Sequence, residues 1–252
     1  MSRYAGKKAV ITGGTIGMGL ATAKALIDGG AEVLVTGRTE RNLDAAQQAL
    51  GPRAHVVRSD ATSLADIDAL GATVERTFGR VDLVFINAGF AKLTPLAEAT
   101  EAEYDQTFDI NTKGLFFAVK RLAPLVREGG SFVFTTSIAD ETGYPGMSIY
   151  SGAKAAARSF ARVFAAELVT QGIRVNAVSP GFIRTPTMGI LDATDEERET
   201  FEKEGERVTP MKRIGTAEEV ARAVLFLAFD ATFTTGAELT VDGGLLELFT
   251  AH

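Results

Sequence analysis

Thr12-Gly13-Gly14-Thr15-Ile16-Gly17-Met18-Gly19 is the stretch whose reading decides the fold. It follows the short apolar run Ala9–Thr12 directly, and a helical period begins at Leu20. Glycines let the chain turn sharply from strand to helix and let backbone approach a pyrophosphate. The helix behind them offers unpaired amides and the positive end of its dipole. Gly13, Thr15, Ile16, Gly17 and Gly19 are therefore candidate phosphate-cradle residues. A plain strand-to-helix connection would use a similar turn, so the rest of the chain has to decide between the two.

Working outward, short β-branched runs alternate with longer stretches of helical period. Strands are expected near Ala9–Thr12, Glu32–Thr36, His55–Arg58, Leu83–Ile86, Ser131–Thr135, Arg174–Val178 and Glu238–Val241. Helices are expected near Gly17–Asp28, Arg41–Leu50, Leu64–Phe78, Glu101–Glu128, Tyr150–Thr170 and Ala217–Phe229. Alternation of this kind means repeated βαβ units. The fold class is α/β: one doubly wound Rossmann domain over residues 1–252, with a parallel seven-stranded sheet and helices on both faces. Asp192–Arg207, crowded with Asp, Glu, Arg and Lys, reads first as a solvated surface helix and second as a lid over a ligand. It falls in a substrate-loop segment of about 182–210.

The second strand ends Val35-Thr36-Gly37-Arg38-Thr39. In dinucleotide folds this end meets the adenosine ribose, and an acidic residue there accepts from both hydroxyls of NAD. No carboxylate stands in that place. The Arg38 guanidinium can pair with a 2′-phosphate and stack on adenine, so NADP(H) is favoured over NAD(H). Glu40 lies close enough to blur the preference, and an ordinary exposed arginine is the competing reading.

Farther along come Asn87-Ala88-Gly89 after the fourth strand, small and flexible enough to pass beside a bound cofactor, Ser137 after the fifth, and Tyr150-Ser151-Gly152-Ala153-Lys154 opening a helix. Tyr150 and Lys154, four apart, share a helix face. A phenol with a pKa of about 10 exchanges protons poorly at neutral pH, and an ammonium beside it favours the phenolate. Ser137 suits donation to a substrate oxygen as charge develops there. Asn111 sits inside a helical stretch where asparagine gains little, so it is expected to open the helix and hold a water that links Lys154 to solvent. Each residue alone means little; their order in the chain carries the signal.

The bulk composition narrows the chemistry. A formal net charge of -6 argues against nucleic acid as a partner, since phosphate binding needs a basic face. Cysteine is absent, which excludes thiolate chemistry and disulfides. His55 and His252 stand too far apart for a histidine-rich metal site or a serine-histidine relay. No apolar stretch is long enough for a membrane span and no signal peptide is readable in Met1–Lys8, so a cytoplasmic location is expected.

As an ordered set the motifs closely resemble the classical short-chain dehydrogenase/reductases, NADP-preferring type, from Gly6 to Gly244. The Thr-Gly-x-x-x-Gly-x-Gly loop, Asp60, Asn87-Ala88-Gly89, Asn111, Ser137, Tyr150 with Lys154, and Pro180-Gly181 leading to Thr185 stand in family order. The resemblance implies that Asn111, Ser137, Tyr150 and Lys154 are a catalytic tetrad. It further implies that Asp60, with Ala61 beside it, meets the adenine, and that Thr185, after Pro180, Gly181 and Ile183, holds the carboxamide. One departure is Ile86, where the family commonly has a first asparagine. Tyr150 would then donate a proton to a carbonyl oxygen while the nicotinamide delivers hydride, or the reverse for an alcohol. Ile138, Met147, Phe182 and Met188, with Phe90, Pro145 and Ile190 nearby, are expected to line an apolar substrate space. The expected substrate is a hydrophobic ketone, or its secondary alcohol, or a ring-bearing compound. The helices ending near Glu128 and starting at Tyr150 carry apolar residues round more than one face, which points to a partner subunit, and the resemblance implies a homotetramer. Two alternatives stay open: a non-catalytic NADP(H)-binding regulatory protein, and an S-adenosylmethionine-dependent methyl transferase.

Overall fold

The structure, a computed structural model, describes residues 2–190 and 192–248; His252 lies outside them. In chain order the elements are β1 (Lys8–Thr12), α1 (Gly17–Asp28), β2 (Glu32–Gly37), α2 (Glu40–Leu50), β3 (Ala54–Arg58), α3 (Leu64–Phe78) and β4 (Val81–Ile86). They continue with α4 (Glu101–Phe108), α5 (Leu115–Leu122), β5 (Val126–Thr135), α6 (Ser148–Leu168), β6 (Arg174–Pro180) and β7 (Ile183–Arg184). The last are α7 (Asp195–Val208), β8 (Gly215–Thr216), α8 (Ala217–Leu225) and β9 (Glu238–Val241). Seven strands form one sheet in the order β3-β2-β1-β4-β5-β6-β9, every pair parallel. The expected doubly wound Rossmann architecture is the one observed.

Side chains of successive strand residues point to opposite faces, and both faces are covered. Val10, Leu34, Val84 and Phe134 pack with residues of α3, α5 and α6. Ile11, Val35, Phe85 and Val133 pack with residues of α1, α2 and α8. This double cover is why β4 is buried at every position and reads as an apolar run from Leu83 to Ile86.

Two expected boundaries are corrected. The single helix Glu101–Glu128 is interrupted at Asp109–Gly114 by a π-helical turn and stops at Leu122. Pro124 then forces a short 3-10 turn, because it has no amide to continue the ladder. β5 accordingly begins at Val126, earlier than Ser131, and its pairing with β4 shifts register between Val81 and Leu83. A second, two-stranded sheet, β7 against β8, pins the base of the excursion that contains α7. Among the described residues no helix is long and apolar enough to cross a membrane, and no group of three or more His, Cys, Asp or Glu side chains is placed to hold a metal ion.

Candidate active site

The carboxyl ends of β1, β4 and β5 meet at one crevice, and Asn87 ties them together. Its Nδ2 donates to the Gly13 carbonyl at 3.0 Å and to the Thr12 carbonyl at 3.3 Å. Its Oδ1 accepts from Thr135 Oγ1 at 3.1 Å, and its amide donates to Thr12 Oγ1 at 3.0 Å. The Asn87 side chain is therefore spent on the framework, and what it leaves facing the crevice is backbone.

The glycine loop tolerates nothing larger. A Cβ on Gly19 would lie 2.3 Å from the Gly13 carbonyl oxygen, and one on Gly13, whose φ is +63°, would lie 2.9 Å from Ala88 Cα. Ile16 caps α1 without any side-chain hydrogen bond, so the first-turn amides stay free. Thr185 arrives from beyond β7, its side chain 3.2 Å from the Cβ position of Gly17, and so stands over the same loop. Thr15 is buried against Gly37, where a Cβ would strike its side chain at 2.6 Å. A backbone cradle this close suits a dinucleotide pyrophosphate.

At the outer edge of the crevice, Arg38 is exposed just after β2. Asp60 closes a turn by accepting from the Thr62 amide at 2.9 Å and the Thr62 hydroxyl at 2.8 Å. Partial burial works against its charge, but those two bonds and the Arg38 and Arg58 guanidinium groups hold the Asp60 carboxyl below the usual range. Arg58 was not singled out from the sequence. It pairs in register with Gly37, which brings two arginines to this edge of the crevice. Ala61 packs below, its carbonyl oxygen 1.9 Å from where a Gly114 Cβ would be.

The structure brings Ser137, Tyr150, Lys154 and Asn111 together at the inner end. Tyr150 lies in the first turn of α6, half-buried, with Ser137 at its hydroxyl. Ser137 Oγ accepts from the Ala139 amide at 3.2 Å, which leaves its own proton free for another acceptor. Lys154 is 3% exposed; its Nζ donates to the Thr135 carbonyl at 2.9 Å and stands 5.6 Å from the Tyr150 ring centre.

Asn111 is 1% exposed and sits in the π-helical turn. Its Nδ2 donates to the Phe90 and Thr107 carbonyls, each at 3.0 Å, while its buried Oδ1 has no partner. A Cβ on Gly89 would lie 2.5 Å from that oxygen and 3.5 Å from Lys154 Nζ. The glycine thus keeps the space between Asn111 and Lys154 open. The opening of the helix at Asn111 takes the form of one wider turn, a device common at functional sites.

The expected lowering of the Tyr150 phenol by Lys154 and a cationic nicotinamide ring concerns the cofactor-loaded site; the protein alone starts from a raised phenol. Burial pushes the phenol up to about 12; the Ser137 contact pulls it down and the Asp140 charge pushes it further up. Burial likewise drives the Lys154 ammonium down to about 8, with Asp140 opposing. At neutral pH the phenol of the protein alone is protonated, with desolvation the largest cause.

Ser137 and Tyr150 form part of the wall of a cavity of about 280 Å³. All four expected substrate-side residues, Ile138, Met147, Phe182 and Met188, line it, as does Ile190. Phe90 and Pro145 do not. Residues missed from the sequence line it too: Tyr144, Phe201, Val208 and Leu245. Phe201 packs its ring on Phe182 at 4.8 Å, so α7 is solvated on one face only. The preferred reading of Asp192–Arg207 as a plain surface helix is corrected: its inner face covers the cavity. A lone phenylalanine in a helix otherwise dominated by charge was the available signal.

Comparison with known proteins agrees with this geometry. Residues 14–246 match the family model described as enoyl-(acyl carrier protein) reductase. The chain is 40% identical to oxidoreductase asL5 of Sarocladium schorii, over 98% of this chain and 99% of that one. It is 34% identical to the NADP-dependent (R)-specific alcohol dehydrogenase of Lentilactobacillus kefiri, over 96% and 97%. Among solved structures, levodione reductase superposes with a TM-score of 0.89 at 32% identity, covering 98% of this chain and 100% of that one. The chain belongs to the short-chain dehydrogenase/reductase family of oxidoreductases, which bind a nicotinamide cofactor.

Proposed function

We propose that the protein is an NADP(H)-dependent reductase of small apolar ketones, running as an alcohol dehydrogenase in reverse. The observation that carries this is the wall shared by Ser137 and Tyr150 in a cavity otherwise lined mostly by apolar side chains, with Lys154 buried behind it. The dinucleotide, held by the glycine loop, Ala88, Gly89 and Thr185, supplies the hydride when bound. Arg38, with Arg58, receives the 2′-phosphate that NAD lacks, which agrees with the NADP dependence of the Lentilactobacillus relative.

In this reading the protonated Tyr150 phenol donates its proton to the carbonyl oxygen while the Ser137 hydroxyl donates a hydrogen bond to the same atom. The high position of the phenol suits an acid that must hold its proton until negative charge builds on the substrate. Lys154 and the unpaired Asn111 Oδ1 provide the route by which that proton is replaced. Because Lys154 loses its charge near pH 8, reduction falls off as pH rises through that value.

The reading extends to a cytoplasmic homotetramer. Phe116 and Val163 are 36% and 51% exposed and leave the outer faces of α5 and α6 apolar. Light scattering in solution tests the assembly. The activity is tested by following NADPH consumption across a panel of apolar and polar ketones, beside binding titrations of NADPH and NADH. Preferential turnover of apolar ketones and tighter binding of NADPH are expected. Tight NADPH binding with no turnover of any carbonyl favours the regulatory alternative instead.

A further inference from the structure

The short 3-10 turn Ile138–Asp140 hangs directly from Ser137. Its last residue, Asp140, has no exposed side-chain surface, and beyond its own amide and one guanidinium its carboxylate oxygens have no hydrogen-bonding partner. A buried carboxylate in that state is costly unless a cation compensates it. The cation is Arg158, whose Nε stands 2.8 Å from Asp140 Oδ2. It is shared, because the same guanidinium meets Glu141 and, at 3.5 Å, Glu238 Oε2. Glu238, at the start of β9, also accepts from the Thr136 hydroxyl. Three carboxylates around one guanidinium leave an excess of negative charge beside the catalytic wall.

Placement ties this cluster to the site. Tyr150, Lys154 and Arg158 follow one another at intervals of four along α6 and so share one stripe. Facing that stripe, Ser137 and Asp140 are the two ends of a single turn. The charged groups around Asp140 are Arg158 and Lys154 from α6, Glu238 from β9 and Glu141 from its own loop, with the Tyr150 hydroxyl beside them. Burial pushes the Asp140 carboxyl up to about 6; Arg158 pulls it down and Glu238 and Glu141 push it up again. Its charge in turn raises both Tyr150 and Lys154. A group kept only for stability would do better neutral in such surroundings.

We propose that Asp140, gripped by Arg158, is a positioning residue of the active site: it anchors the Ser137 turn to α6 and sets a negative charge beside Tyr150 and Lys154. This rests on the reading of Tyr150 as the acid. The test compares Asp140→Asn with the parent, using Arg158→Met and Arg158→Lys as companions. Titration of Lys154 is followed by NMR of the nitrogen-labelled side chain and that of Asp140 by carboxyl-carbon NMR, both without ligand. In Asp140→Asn, Lys154 should titrate below its parent value of about 8. The melting temperature at neutral pH should hold or rise, because a buried charge has gone. The kcat for ketone reduction should fall roughly tenfold with KM unchanged.

Arg158→Met should move the Asp140 transition above about 6, and Arg158→Lys should bring it back toward the parent. Parent-like Lys154 titration and kcat in Asp140→Asn would overturn the proposal. So would a drop in melting temperature with both KM and kcat disturbed, the mark of a merely structural role. The two titrations need no substrate. A parent protein that reduces no carbonyl therefore fails the functional reading separately from this one.

Discussion

The two halves of the crevice solve their backbone problems differently. On the cofactor side the left-handed conformations fall on Gly13 and Gly17, with φ of +63° and +55°, where a side chain has no room or no need. On the substrate side glycine takes some of them, such as Gly189 at +76°, but others fall on residues with side chains: Met188 at +50°, Asp192 at +57° and Lys212 at +55°. Such residues sit there at a cost of order 1 kcal/mol each. Sterics thus settle the cofactor half almost residue by residue, while the substrate half is held by contacts at its base, β7 on β8 and the Ala91–Ile190 bridge. The difference teaches where specificity is free to change: the cradle cannot vary without losing its turn, and the cover can.

If the halves are separable, changes in one should leave the other's constant alone. The largest effect is expected from Arg38→Asp. Losing a charge-assisted pairing and adding a repulsive carboxylate should weaken NADPH binding by roughly 100-fold, from about 3 kcal/mol. The KM for ketone should be unchanged; binding titration and steady-state kinetics separate the two. A ketone KM that moved with it would break the comparison. Next, Phe201→Ala removes the ring that packs on Phe182 and lines the cavity. From roughly 1.5 kcal/mol of lost apolar contact, the KM for apolar ketones should rise about tenfold while NADPH affinity stays put. The smallest effect is expected from Lys212→Gly. Relief of the positive φ against the added chain entropy should raise stability by up to about 1 kcal/mol, read from denaturant midpoints, with no change in either constant.

How far the chain could be read from residues alone follows the same divide. The glycine loop was legible because only glycine fits those positions, and the parallel sheet followed from βαβ alternation. Tyr150 and Lys154 were legible by spacing, since four residues on a helix mean one face whatever the fold. The wider turn at Asn111 was foreseeable as an opening, though its π-helical form was not. The start of β5 was lost because Val126 pairs with β4 before a register shift that leaves no periodic trace. Leu245 was hidden because folding brings it to the cavity from a segment whose own pattern says nothing of it, while Phe201 offered only its lone aromatic ring in a charged helix. Asp140 was hidden for a related reason: Glu238, which shapes its environment, lies at the other end of the chain. Arg58 became visible only through the register that sets it opposite Gly37.

The central claim is that the Tyr150 phenol hands a proton to a carbonyl in the apolar cavity. Its most direct test is single-turnover oxidation of bound NADPH by an apolar ketone, comparing the parent with Tyr150→Phe. The account predicts that NADPH binds both proteins equally and that the chemical step slows by about 10²–10⁴-fold in the variant. A variant that turns over at close to the parent rate would contradict it.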